Sequence, residues 1–452
     1  MNIVVAGYGK VGKTLSEQLA REGHDIVVID INSRLLTDSA GTLDIMCVCG
    51  NAASQIVQVE AGVGKADLLI ATTDSDELNM LSCLVAKKLG AHNTIARVRN
   101  PDYSEQLVFM REELGLSMAI NPEQAAANEI SRMLRFPAAA KIEMFSQGRI
   151  ELVELKLTDA CPLDGMPLSL LYQKYQVKVL ICAVQRGDEL FIPSGNFVLQ
   201  KGDRISVTGT AGRVEQFFRQ LGVMRSRARS VMIVGGGRIS HYLTKRLLDT
   251  GIKVTIIEQN PGVCRELAEE LPRANIIEGN GADQELLSEE GIDSVEGFVA
   301  LTGFDEENII LALYAASRHV GKVIAKVNRS SLADLVSSST PLDSIISPKD
   351  ITANRILSYV RAMQTTHGSN VETVYKIVGG KAEAVEFLVK DGSSVLDMPL
   401  KSLKLKPNLL IAAITRGNKI IVPGGNDVIQ TRDRVLVVTA GTRLHDLDNI
   451  LA

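Results

Sequence analysis

The sequence predicts an α/β chain in which two doubly wound parallel-sheet domains are each followed by a small α+β domain. Three observations carry this: the chain is written twice, each copy opens on a strand, glycine turn and helix, and each copy changes character near its middle. Gly7, Gly9, Leu15, Leu19, Gly23, Asp30 and Asn32 recur as Gly235, Gly237, Leu243, Leu247, Gly251, Glu258 and Asn260, at an offset of 228 residues. The register then slips by one, pairing Gly50-Asn51 with Gly279-Asn280, Thr73 with Thr302, Asp76-Glu77 with Asp305-Glu306, Asn79 with Asn308 and Arg97 with Lys326. A repeat of this length lies far outside solenoid periods, so each copy is expected to fold around its own core.

Taken in order, Ile3 to Ala6 and Ile26 to Ile29 are short β-branched runs, and between them Leu15 and Leu19 stand one turn apart on a helix expected over Thr14 to Arg21. Apolar runs at Ile45 to Val48, Leu68 to Ala71 and Thr94 to Val98 follow, with a helix-length segment at Leu78 to Leu89. The second copy repeats the pattern at Val231 to Val234, Val254 to Ile257, Ile276-Ile277, Phe298 to Leu301 and Val323 to Val327. Runs that are continuously apolar, not alternating, suit parallel strands covered on both faces.

A proline opens a helix after each sheet, Pro122 to Phe136 and Pro348 to Met363. Their apolar stripes, Ile130, Met133 and Leu134 in one and Ile351, Ile356 and Leu357 in the other, suit either packing one sheet domain on its partner or covering the helix's own sheet. The segments Glu151 to Leu221 and Glu383 to Leu451 then show shorter strands with turn signals, and are copies of each other: Met166-Pro167-Leu168, Arg186-Gly187, Gly195-Asn196 and Asp203-Arg204 match Met398-Pro399-Leu400, Arg416-Gly417, Gly425-Asn426 and Asp433-Arg434. The expected domains are 1-137, 145-224, 230-364 and 370-452.

With 452 residues, 45% hydrophobic and 23% charged, the composition is that of an ordinary globular chain. No run approaches the roughly 18 consecutive apolar residues of a membrane span, and the apolar start is too short for a secretory signal, so a cytoplasmic protein is expected. Six cysteines, Cys47, Cys49, Cys83, Cys161, Cys182 and Cys264, show no C-x-x-C pairing and are expected to be reduced and mostly buried. A net charge of −4 gives no reason to expect nucleic acid; Arg225, Arg227 and Arg229 form a local basic tract where the copies join, a solvated linker or a patch for an anionic partner.

Gly7-Tyr8-Gly9-Lys10-Val11-Gly12 follows a strand, opens a helix and is followed 18 residues later by Asp30 at the end of the next strand. This is the full context of a Rossmann dinucleotide fingerprint: Gly7 for the tight turn, Gly9 for close approach of backbone to a pyrophosphate, Gly12 for helix–strand packing. The anion is expected on the helix N-terminus and the adenosine ribose hydroxyls on Asp30, whose charge disfavours a 2′-phosphate, so NAD(H) or an adenine nucleotide is favoured over NADP(H). The second copy keeps Gly235, Gly236, Gly237, Arg238, Ile239 and Glu258, with Ser240 in place of the third glycine. Thr72 and Thr73 end the fourth strand, where ligands of open parallel sheets sit; Asp76 and Glu77 are read as helix caps in preference to metal ligands, and Arg97 and Lys326 as either ligand-facing or solvated. The six histidines (His24, His92, His241, His319, His367 and His445) show no metal-ligand spacing, so no metal is expected.

The glycine turn with Asp30, the stretch Ala71-Thr72-Thr73-Asp74-Ser75-Asp76-Glu77-Leu78-Asn79, the run Ile95-Ala96-Arg97-Val98-Arg99 and the doubled domain pattern resemble the TrkA-type cytosolic subunit of Trk potassium-uptake systems, over essentially the whole chain. The resemblance implies tandem regulator-of-potassium-conductance (RCK, or KTN) domains with small TrkA C-terminal companions. It further implies a homotetrameric ring docked on a membrane-embedded Trk-type potassium channel subunit and gated by NAD(H), ATP or ADP. Carried over by residue, the first pocket uses Gly7, Tyr8, Gly9, Lys10, Val11, Asp30, Thr73, Asp74 and Arg97; the second uses Gly235, Gly236, Gly237, Arg238, Ile239, Glu258, Thr302 and Lys326. Gly303 stands where Asp74 does, a departure that weakens the second set. The residues themselves point away from catalysis, since neither companion offers a Ser-His-Asp set, a Lys-Tyr pair or paired acids in context. The rival readings are an NAD-dependent oxidoreductase and a redox-sensing DNA-binding repressor, the latter without a convincing helix-turn-helix.

Overall fold

The computed structural model describes residues 1–40, 44–100, 103, 113–135, 139–146, 149–158, 161–222, 228–339, 342, 344–365, 371–417, 419–442 and 444–452. Arg225, Arg227 and His367, and the expected boundaries at 137, 224 and 370, lie outside the described residues.

In the first copy β1 (Asn2–Ala6), α1 (Lys10–Arg21), β2 (Asp25–Asp30), α2 (Ser33–Ala40), β3 (Met46–Cys49), α3 (Gln55–Glu60), β4 (Leu68–Ala71), α4 (Asp76–Leu89), β5 (Asn93–Arg97) and β6 (Met118–Ile120) build a six-stranded sheet in the order β3-β2-β1-β4-β5-β6. Every pair in it is parallel. Strand order therefore reverses between β1 and β4, and the crevice outside their carboxyl ends is the natural ligand position of this topology. The central strands β1 and β4 are buried as their continuous apolar runs require. Leu15 and Leu19 of α1 are fully buried. The edge strand β3 departs from that expectation: it covers one side only, leaving Cys49 exposed and Cys47 half-buried, while the other four cysteines are buried; all six are free.

Helix α5 (Pro122–Arg135) leads to an antiparallel sheet of β7 (Ala139–Phe145), β8 (Ile150–Lys156), β9 (Leu180–Arg186), β10 (Glu189–Phe191) and β11 (Arg204–Gly209), ordered β10-β9-β11-β8-β7, with α6 (Leu171–Tyr175) and α7 (Ala211–Gln220). The second copy repeats the parallel order with β12 (Ser230–Val234), α8 (Arg238–Asp249), β13 (Lys253–Glu258), α9 (Pro261–Glu270), β14 (Asn275–Glu278), α10 (Gln284–Glu289), β15 (Gly297–Ala300), α11 (Asp305–Ser317), β16 (Lys322–Lys326), α12 (Ser330–Ser339) and β17 (Ile345–Ile346), in the order β14-β13-β12-β15-β16-β17. After α13 (Pro348–Thr365), β18 (Val371–Ile377), β19 (Ala382–Leu388), β20 (Leu409–Arg416), β21 (Lys419–Ile421) and β22 (Arg434–Ala440) form the second antiparallel sheet, β18-β19-β22-β20-β21. Among the described residues no helix is long and apolar enough to cross a membrane.

The chain packs as two compact units, Met1–Asn128 with Arg238–Leu243 and Ile346–Leu357, and Glu129–Gly237 with Thr244–Ile345 and Ser358–Ala452. The proline-started helices are thus each shared: the second half of α5 belongs to the second unit, where a side chain on Gly297 at the start of β15 would strike Leu134. Ile130, Met133 and Leu134 are all buried, as are Ile356 and Leu357 of α13.

Within the second unit the two small sheets meet across an apolar layer that includes Phe145, Leu152, Ala183, Ile377, Ala384 and Leu436, with Phe145 and Tyr375 edge to face at 5.0 Å. Polar contacts across this layer obey a pseudo-twofold rule. The turn residues Ser146 and Val378 both have left-handed backbone, φ +50° and +51°. Each presents its amide to a buried carboxylate of the other sheet: Val378 N–H donates to Glu154 Oε1 at 2.7 Å, and Ser146 N–H to Glu386 Oε2 at 3.2 Å. Ser146 Oγ also donates to Glu386 Oε1 and lies 2.8 Å from Thr415 Oγ1. Arg149 and Lys381 complete the exchange on Gly417 O (2.8 Å) and Asp188 O (2.9 Å). Inside each sheet the repeated arginine and aspartate close a bidentate pair, Arg186 with Asp203 and Arg416 with Asp433, the carboxylates fully buried.

Burial pushes the Glu386 carboxyl above its ordinary value despite the Ser146 hydrogen bonds, with Glu372 adding to the rise and Arg434 opposing it. A carboxyl whose folded-state pKa is raised lowers stability progressively as pH climbs from about 4.3 through that raised value. Glu386→Gln keeps an acceptor for the Ser146 amide and removes the desolvated charge. Its melting temperature relative to wild type is therefore expected to rise between pH 4 and pH 8, read by differential scanning calorimetry; a constant difference refutes the assignment.

Candidate nucleotide sites

The glycine turn leaves β1 directly into α1, which begins at Lys10, four residues before the expected start, because Gly9 itself is the N-cap. Gly7 has φ +95°, and a Cβ on it would lie 2.7 Å from Thr73 N and 2.8 Å from Thr72 C; a Cβ on Gly12 would collide with the Gly7 carbonyl oxygen. Both glycines are therefore required by the turn itself. Gly9 differs: its backbone is extended, and a Cβ there would meet nothing within 4 Å. It faces the open mouth of the turn, and Gly237 repeats this in the second copy.

Neither α1 nor α8 has a side-chain cap, whereas α4, α9 and α10 are capped by Ser75, Asn260 and Asp283. No side chain thus closes the N-terminus of α1 or α8, the positive end of each helix dipole. Lys10 and Arg238 are exposed at these starts, while Val11 and Ile239 are buried beneath them. Ser240, in place of the third glycine, is fully buried, and α8 still starts at the position corresponding to α1; the small side chain is accommodated.

A carboxylate at the end of the neighbouring strand clamps each turn. Tyr8 N–H donates to Asp30 Oδ2 at 2.6 Å and Asn32 N–H to Oδ1 at 2.8 Å; Gly236 N–H donates to Glu258 Oε2 at 2.6 Å and Asn260 N–H to Oε1 at 2.7 Å. Each oxygen retains a lone pair, so the same carboxylate can receive ribose hydroxyls while holding the turn. The copies differ behind the clamp. Tyr8 is buried, and in its place a Cβ on Gly236 would lie 3.0 Å from Glu258 Cγ and 2.8 Å from Leu267 Cδ1. Leu267 and the longer acid together occupy the room that the side chain at this position would take.

Across the crevice, Asn79 and Asn308 are fully buried clamps that the sequence displays only as repeat identities. Asn79 Oδ1 accepts Thr73 N–H at 2.8 Å and its amide donates to Arg97 O at 2.9 Å; Asn308 does the same with Thr302 N–H (2.8 Å) and Lys326 O (2.9 Å). They tie the β4 and β15 ends to the β5 and β16 ends. Thr73 Oγ1 is turned onto Asn79 Oδ1 at 2.7 Å. The Asp74 side chain is fully exposed, 3.7 Å from the Arg97 guanidinium. Arg97 is not solvated: its side chain is only 11% exposed, it donates to Thr73 O at 2.6 Å, and its buried Nε has no hydrogen-bond partner among the described residues. Burial lowers its pKa, aided by Arg99 and opposed by Glu123, Asp74 and Asp76. Lys326 is half-buried, its Nζ 3.4 Å from Leu301 O.

Neither Asp76 nor Glu77 is the expected cap of α4. Ser75 is the cap, accepting Leu78 N–H at 3.1 Å, and Glu77 supports it: hydrogen bonds from Ser75 and then Tyr103 hold the Glu77 carboxyl at about 2. Asp76 instead accepts Arg99 N–H and Asn100 N–H, both at 2.8 Å, fixing the chain beyond β5; Asp305 does this for Asn328 and Arg329. Among the described residues no cluster of three or more histidine, cysteine or acidic side chains is placed to hold a metal.

The family models for the TrkA-N domain match residues 3–122 and 231–348, and those for the TrkA-C domain match 152–222 and 384–452. The chain belongs to the TrkA family. It is 33% identical to a Trk system potassium uptake protein TrkA homolog of Archaeoglobus fulgidus over 100% of both chains, and 32% identical to the Trk system potassium uptake protein TrkA of Vibrio alginolyticus over 97% of this chain and 95% of that one. Among solved structures the GsuK channel shares its fold with a TM-score of 0.64 at 19% identity, covering 97% of this chain and 77% of that one. The GsuK channel bound to NAD gives 0.63 at 18%, with the same coverage.

Two outcomes test this geometry. Gly12→Ala is expected to lower the melting temperature by several degrees because the new methyl strikes the Gly7 carbonyl, and an unchanged melting curve refutes that contact. Asn79→Ala leaves Thr73 N–H and Arg97 O without their partner and is expected to cost about 2–3 kcal/mol in urea unfolding; a loss below about 0.5 kcal/mol shows that water replaces the clamp.

Proposed function

We propose that this TrkA-family chain is a nucleotide-sensing regulatory subunit of a potassium-uptake system, and not an enzyme. The observation that carries the reading is the pair of uncapped helix N-termini, each entered through a glycine turn and each flanked by a strand-end carboxylate. Pyrophosphate oxygens would take the free amides at Gly9 to Val11 and at Gly237 to Ile239, and adenosine ribose would take Asp30 and Glu258. Arg97 and Lys326 reach toward the crevice from the β5 and β16 ends, beside Thr73, Asp74 and Thr302. The ligands fitting this are NAD(H), ATP and ADP, and the two carboxylates disfavour NADP(H). The names of the Archaeoglobus and Vibrio relatives, and the NAD held by the GsuK channel of the same fold, support the reading.

In this reading four chains form a cytoplasmic ring beneath a membrane-embedded Trk-type channel subunit, and nucleotide in the crevices changes the ring's shape. Such switching requires each ligand to bind one arrangement better; about 1.4 kcal/mol of difference shifts the population tenfold.

Because a methyl on Gly9 or Gly237 would meet only open space, Gly9→Ala and Gly237→Ala separate binding from folding. Each is expected to melt within about a degree of wild type while losing at least about tenfold affinity in its own pocket, measured by calorimetry with NADH, NAD, ATP and ADP. Wild-type affinity in both variants, or no heat from any of the four ligands with the wild-type chain, overturns the reading.

A further inference from the structure

Helix α8, which carries the N-terminus of the second pocket, contributes its first six residues to the first compact unit. There Tyr242 is hydrogen-bonded to Arg99 and Asn121 of the same unit. Its hydroxyl donates to Arg99 O at 3.0 Å and accepts from Asn121 Nδ2 at 2.9 Å. Asn121 also donates to Arg99 O at 3.2 Å, and its Oδ1 accepts Gln124 N–H at 2.8 Å at the start of α5.

Arg99 is itself tied to the first crevice. Its amide donates to Asp76 at the start of α4, and its guanidinium donates to the Asp74 carbonyl oxygen. One unbroken run of hydrogen bonds therefore joins the loop after β4, through Arg99, to a side chain one turn inside the helix that begins beside Gly237. The repeat does not supply the mirror image. Thr14, at the place of Tyr242, donates back to Lys10 O of its own helix at 2.9 Å, and the buried Ser347 hydroxyl, at the place of Asn121, has no hydrogen-bond partner among the described residues. Among the described residues the two copies thus show this bridge once, where symmetry would give two.

We propose that the Tyr242 hydroxyl is the coupling element between the two nucleotide pockets: ligand at the N-terminus of α8 repositions Tyr242, and with it Arg99 and the β4 loop of the first pocket. This rests on the nucleotide-binding reading above and adds the route by which one pocket senses the other. Tyr242 is not among the residues proposed to hold either nucleotide; it is a positioning residue. Hydrogen-bonded contacts of this kind couple sites when the bridging element has two arrangements that both ligands bias, and the coupling is reciprocal.

The test is a cycle on the full chain with ADP as probe. Gly237→Ala and Gly9→Ala report the first and second pockets alone, and the wild-type chain reports both together, so the departure of the two-site affinity from the product of the single-pocket affinities is the coupling. A departure of about fivefold or more is expected in wild type. Repeating all three measurements with Tyr242→Phe is expected to bring it within about twofold of unity, while each single-pocket affinity stays within about twofold of its parent. A merely structural tyrosine would lower the melting temperature and leave the ratio unchanged; an unchanged ratio, or no departure in wild type, overturns the proposal while the nucleotide reading stands. Where ADP gives no heat the same cycle is run with NADH, NAD and ATP in turn; no binding of any of the four sinks both readings together.

Discussion

The arrangement depends on a backbone amide held by a strand-end carboxylate. Together with the backbone bonds from Gly7 N–H to Ile29 O and from Gly235 N–H to Ile257 O, those from Tyr8 N–H to Asp30 and from Gly236 N–H to Glu258 fix the glycine turns against β2 and β13. A charge-assisted bond of this type contributes roughly 1.5–3 kcal/mol, enough to hold a loop that glycine entropy otherwise loosens. It also pre-organises the site: the acid is oriented before any ribose reaches it, so a ligand need not order it.

Much of this was legible in the sequence because the constraints behind it act on single residues. Gly7 and Gly12 leave no room for a Cβ, so their identity betrays the turn, and the apolar runs of β1 and β4 betray a sheet covered on both faces. What stayed hidden depends on distant partners. Asn79 is matched by Asn308 in the repeat, yet nothing local shows that its amide reaches Arg97 O, 18 residues on. Tyr242 lies 143 residues from Arg99. Strand β7 begins in an alanine-rich run that carries neither period, and β6 is three residues long, too short for a pattern to register.

The small sheets show a different use of duplication. Their mutual face keeps a near-twofold exchange of buried glutamate to turn amide, Glu154 to Val378 and Glu386 to Ser146, across an apolar layer. A buried carboxylate is costly unless its oxygens are satisfied. Here each one satisfies an amide in a left-handed turn, so the polar contacts fix the register of the joint and the apolar contacts its strength. The sheet domains have kept less symmetry: Ser240 for Gly12, Gly236 for Tyr8 and Tyr242 for Thr14 all fall on or beside the glycine turn.

The space behind the second turn has an evolutionary corollary. Since Leu267 Cδ1 and Glu258 Cγ both lie where a side chain at position 236 would begin, a larger residue enters the second turn only if these neighbours give way. The two halves repeat one pattern but are packed differently at this spot: Tyr8 is buried in the first, while Leu267 and Glu258 crowd the corresponding position in the second. Divergence of this kind ties each turn to the side chains packed around it, so a change at one position calls for changes in its neighbours.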